Sequence, residues 1–183
     1  MNPQPARRSV LHILRSALMC KAPEQAKQNI QPPQRPAEGD RDAWHVYWDV
    51  LGQPWRTEPE IEPKRQEELA QCRTITPDIE KGVYPFKGAR LNRADIEWLL
   101  ATHKKGRMGL DLRGANLQFV DLSNLPLAKM RGGLFGEEWL RSTAEQRRIA
   151  AVYLEGANLR GSHLERSALS SHGMRNEMKA SKQ

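Results

Sequence analysis

Ser162, His163 and Glu165 are the residue types of a nucleophile, a base and an orienting carboxylate, crowded into one short stretch. A hydrolytic trio must converge on a single point, whereas close neighbours along an extended chain point in set, different directions. Surface or lining roles therefore fit these three better. The histidines at 12, 45, 103, 163 and 172 share no metal-ligand spacing, and no Walker loop, GxGxxG, HExxH or CxxC is present. Glu60, Glu62, Glu67 and Glu68 alternate with Lys64 and Arg65 as a solvated helix surface would. The cluster HKKGR at 103–107 could meet a phosphate, but cations at a helix C-terminus are placed equally well for its dipole. RGG at 131–133 occurs once and reads as a turn rather than an RNA contact. No catalytic residue, cofactor site or metal site is assigned, and the expectation is a chain that is not an enzyme.

The elements that would position any site must fit 183 residues, enough for one domain with a tail and for a real core. Hydrophobic residues make up 38% and mean hydropathy is −0.73, so part of the chain is expected not to pack. The net charge of +7 permits an anionic partner without specifying one. Nucleic acid is thus admissible but not indicated. Cys20 and Cys72 are the only cysteines, too few for a disulfide framework or a zinc site, which fits a cytoplasmic protein. No apolar run approaches the ~18 residues of a membrane span.

Residues 1–42 read as a basic amphipathic segment followed by a Pro/Gln-rich linker, largely disordered. Val10, Ile13, Leu14, Ala17 and Leu18 fall at helical spacing among Arg7, Arg8, Arg15 and Lys21, and Arg15 and Met19 argue against an export signal. Residues 43–106 read as a helical capping region. Trp44, Tyr47, Trp48 and Leu51 share helical spacing and suit a buried face better than a base-stacking platform. Pro63 opens a helix to about Arg73, a turn from Thr76-Pro77-Asp78 ends at Gly82, and Asn92 with Asp95 opens a helix whose Ile96, Leu99, Leu100 and His103 share a face.

Residues 107–174 carry a different period. Leu112, Leu117, Leu122 and Leu127 recur every fifth residue, as do Leu154, Leu159, Leu164, Leu169 and Met174. Smaller side chains lie two residues earlier, at Ala115, Val120, Val152, Ala157, Ser162 and Ser167, and Asp111, Asn116, Asp121, Asn158 and His163 precede the leucines. A helix would spread such leucines around its cylinder, and a flat strand would send them to alternate faces. A corner at each repeat re-aims every leucine at one axis, and Asp or Asn suits a corner because its short side chain bonds neighbouring backbone.

With GANL at 114–117 repeated at 156–159, this part of the chain resembles the pentapeptide-repeat family, whose motif is A(D/N)LXX. The resemblance implies a mixed α and β fold: a short right-handed quadrilateral parallel β-helix, a solenoid capped and interrupted by helices. Its structural core would be Leu112, Leu117, Leu122, Leu127, Leu154, Leu159, Leu164, Leu169, Ala115, Val120, Val152 and Ala157. A helical excursion is expected at about 131–150, with Thr143 and Gln146 as a capping box. Beyond it, Leu154 should lie over Leu112, Leu159 over Leu117, Leu164 over Leu122 and Leu169 over Leu127. Phe86 and Leu91 would end an earlier, incomplete coil. Pro126, Ala168 and His172 depart from the motif, so the last coil is expected to fray after Leu169, leaving 175–183 as a disordered tail.

The resulting functional expectation is a non-catalytic scaffold or protein-protein interaction module with an unidentified protein partner, the coils being free to pair as a homodimer. A DNA mimic acting on DNA gyrase is implied by some members of the family, but Arg113, Lys129, Arg160 and Arg166 offset Asp111, Asp121, Glu155 and Glu165. A basic nucleic-acid-binding protein is the other alternative, resting on Arg7, Arg8, Lys104, Lys105, Arg147 and Arg148.

Overall fold

A computed structural model describes residues 33–103 and 108–169, all within the compact unit Pro33–Gln183. The amphipathic stretch around Val10 to Leu18, with Arg7 and Arg8, lies outside the described residues. So do Lys104, Lys105, Arg107, His172, Met174 and the segment 175–183.

Helix α1 spans Arg41–Val50 and is capped by the Asp40 carboxylate, which accepts the Ala43 N–H. Its Trp44 and Trp48 are buried with rings stacked 5.9 Å apart, Tyr47 meets both edge-on, and Leu51 is exposed. Helix α2, Pro63–Thr74, starts on the proline and buries Leu69. Between it and α3, Asp78 and Val83 exchange backbone hydrogen bonds across the turn that contains Gly82. Helix α3, Arg93–Ala101, opens with a reciprocal Asn92/Asp95 capping box. Two short helices follow much later, α4 at Glu137–Arg141 and α5 at Ala144–Ala150, the latter opened by the Thr143/Gln146 capping box.

The leucine-rich segments form stacked tiers. Residues 84–91 contribute to the first, 110–130 to the second, and 131–132 with 152–167 to the third, over which Ala168 and Leu169 begin a fourth. Parallel bridges join Arg90 to Asn116, Asn116 to Tyr153, Asp121 to Asn158, Asp111 to Arg131 and Arg131 to Ala168. Leucine amides make the link between tiers: Leu117 donates to the Tyr153 carbonyl and Leu122 to that of Asn158, each at 2.8 Å. Within a tier, Asp111, Asn116, Asp121 and Asn158 each accept the backbone N–H two residues on, which bends the chain. Gly114, Phe119, Asn124 and Lys129 then take φ between 59° and 76°, one per five residues.

This turning replaces the parallel β-helix expected from the spacing. The described residues contain five helices and no strand, and the tiers are held by isolated bridges. The physical reason is local. A left-handed residue sits three positions after the bridging one, as Phe119 follows Asn116 and Asn124 follows Asp121, so no pairing extends into a ladder. The β-helix and solenoid descriptions are therefore corrected to a helical fold carrying stacked, turning segments.

The stacking register also differs from expectation. Pairing of Asn116 with Tyr153 and Asp121 with Asn158 puts Leu154 over Leu117 and Leu159 over Leu122, one repeat away from the alignment with Leu112 and Leu117. The third tier begins with Arg131 over Asp111, so Gly132 takes the inward position over Leu112 without a side chain. A Cβ there would lie 2.7 Å from Val152 Cγ1 and 3.0 Å from Leu169 Cδ2, so the glycine makes room for both.

One core unites helices and tiers: Leu69, Ile96 and Leu99 pack with Phe86, Leu91, Leu112, Ala115, Leu117, Leu122, Leu127, Val152 and Leu154. Arg90 pairs with Asn116 while Phe86 and Leu91 are buried, so the first tier is real though short. Val120, Ala157, Leu159, Leu164 and Leu169 are partly buried against the same core. Backbone hydrogen bonds between tiers satisfy the inward amides and carbonyls, and apolar burial adds about 1.5–3 kcal/mol for each fully buried leucine.

Candidate interaction site

The most densely bonded polar cluster is one that the sequence did not signal. Glu97 is fully buried in α3. Its carboxylate accepts the Thr57 and Glu58 N–H groups, the Thr57 hydroxyl and Arg93 Nε, the last at 2.8 Å. Arg93 also donates to the Asp121 and Ser123 carbonyls at 3.1 Å, tying the loop after α1 to a corner of the second tier. Arg56 stacks 3.6 Å from the Trp48 ring centre and bonds Glu60. Burial pushes the Glu97 carboxyl up, against the pull of these donors. Every acceptor direction is used inside the protein, so the cluster works as a latch between α1, α3 and the tiers. Arg93 and Glu97 stand four apart on a helix, a spacing that reads as a surface pair. Only the covering loop reveals otherwise.

A second network anchors the excursion at 133–151. Arg113, 2% exposed, bonds Asp111 at 2.7 Å and lies 5.2 Å from the Tyr84 ring centre. Glu138 of α4 receives Arg131 at 2.7 Å and stands 3.8 Å from Arg113. Tyr84, Leu134 and Ala150 form a small core beneath it. The excursion then presents apolar side chains outward: Phe135 is 50% exposed, Trp139 39% and Leu140 79%.

Phe135 borders a cavity of about 580 Å³ whose lining includes Lys129, Arg131 and Arg166. Met108, half exposed, closes another side. Lys129 and Arg166 take φ of 61° and 60°, and the Lys129 amide donates to the Glu165 carbonyl, which sets the two cations at one corner of successive tiers. Neither has a carboxylate partner among the described residues.

The residues with catalytic chemistry do not assemble. The Ser162 hydroxyl is committed to the Leu122 carbonyl, while exposed His163 meets exposed Glu165 at 3.4 Å. Glu62, Glu67 and Glu68 are exposed, Glu60 pairs with Arg56 and Glu68 with Arg65. Cys72 is a free thiol, and no group of His, Cys, Asp and Glu able to hold a metal occurs among the described residues. Arg147 lies 4.4 Å from the Trp139 ring centre and Arg148 pairs with Glu145, so both are engaged within the excursion. Among the described residues, no helix is long and apolar enough to cross a membrane.

Comparison with known protein families, curated proteins and solved structures finds no match to this chain.

Proposed function

We propose that this chain is a non-catalytic protein-protein interaction module whose partner docks on the excursion at 133–151. The observation that carries this reading is the outward display of Phe135, Trp139 and Leu140 on a segment fastened to the core by Arg113, Arg131 and Glu138. Large apolar side chains grouped on an anchored surface lose little conformational freedom when covered, which is the composition of a binding hot spot. The latch around Glu97 supports the same reading, because it spends the buried charges on rigidity rather than chemistry.

The test compares proteins captured from the source cells by the full chain and by its Leu140→Asp variant. Leu140 is largely exposed, so the variant should fold, which circular dichroism checks. Loss of a defined captured protein with retained helicity is the expected result. An identical captured set from both chains overturns the proposal.

A further inference from the structure

Resting on that reading, we infer that the cavity beside Phe135 receives an acidic peptide segment carrying one large apolar side chain. Two observations specify this occupant. Met108 and Phe135, both half exposed, offer apolar walls, and the volume of about 580 Å³ accepts a phenylalanine or leucine side chain together with flanking backbone. The rim is cationic on one side: Lys129 and Arg166 occupy stacked corner positions with no carboxylate partner among the described residues.

The two corner cations are held in a left-handed backbone conformation that glycine adopts at the neighbouring corners Gly156 and Gly161. A lysine and an arginine there carry conformational strain. Docked carboxylates would pair with these two cations while the apolar anchor is covered by Phe135, and neither feature alone would select a peptide. The acidic residues must therefore flank the anchor closely.

The experiment measures fluorescence anisotropy of a labelled peptide with a central Phe between Asp and Glu residues, titrated with the full chain. Binding that falls about tenfold or more in Lys129→Glu and in Arg166→Glu, and also when Ser replaces the peptide's Phe, is the expected result. Both protein substitutions lie at exposed positions, and circular dichroism verifies that the variants fold. No binding up to about millimolar peptide, unchanged binding by the charge-reversal variants, equal binding of the Ser peptide, or equal displacement by short duplex DNA would each overturn the assignment. The two proposals separate cleanly. If Leu140→Asp strips a captured protein while the acidic peptide fails to bind, the module reading stands and the peptide site falls.

Discussion

Glu97 illustrates how a single side chain can join parts of the chain that no local pattern connects. Removing it leaves Arg93 without its closest carboxylate and the Thr57 and Glu58 amides without an acceptor in a buried region, while Arg56 keeps Glu60. Glu97→Ala is expected to cost about 3–5 kcal/mol, read as a shift of the urea midpoint, because it strands buried charge rather than deleting a pair. Asp121 behaves differently. Burial pushes its carboxyl up, but hydrogen bonds from Ser123 and the nearby Arg93 hold it, on balance, below the ordinary carboxylate range. The unfolded chain then takes up a proton at higher pH than the folded one, so the contribution is complete above the ordinary carboxylate pKa and is lost as pH falls through the lowered value. Asp121→Asn should be less stable than the parent at neutral pH, by no more than about 1 kcal/mol given the exposure of this side chain. Urea midpoints measured toward acid should converge, and a gap that stays constant would remove Asp121 from the account.

At the level of elements, the caps were legible because their chemistry is local: Asn92 with Asp95 and Thr143 with Gln146 sit at fixed spacings and need nothing from the rest of the fold. Thr143→Ala is accordingly expected to cost about 1 kcal/mol by thermal denaturation. The leucine period was legible too, since the Asp or Asn before Leu112, Leu117, Leu122 and Leu159 bends the chain locally. What it could not convey was how far pairing extends beyond a bridge, nor which repeats lie over one another. Gly132 hid the register by having no side chain to mark its inward position, although its neighbours Val152 and Leu169 depend on that absence. Gly132→Ala should destabilise by about 1–3 kcal/mol through overpacking. Hydrogen exchange at the amides of Val152 and Ala168, which bond across this position, should quicken first. Unchanged protection there would mean that the packing of Val152 and Leu169 does not depend on Gly132.

For the whole molecule, the question is whether the excursion belongs to the scaffold or to what the scaffold displays. Leu69, Ile96 and Leu99 of the helices share one core with the inward leucines of the tiers, so α2, α3 and the tiers stabilise each other directly. The excursion joins this body through a separate small cluster, and its ends, Leu134 and Ala150, meet there. A short Gly/Ser link in place of residues 135–148 can therefore close the chain without opening the main core. It removes Glu138 from Arg131, while Arg113 keeps Asp111 as its closest partner. The cost should be about 1–3 kcal/mol, the penalty for leaving a largely buried donor unpaired. Amides that bind the third tier to the second, Tyr153, Asn158 and His163 among them, should keep their protection from exchange, while capture of the partner disappears. Collapse of that protection would show that the segment is a structural strut, and the docking role proposed for Phe135, Trp139 and Leu140 would then have to be abandoned.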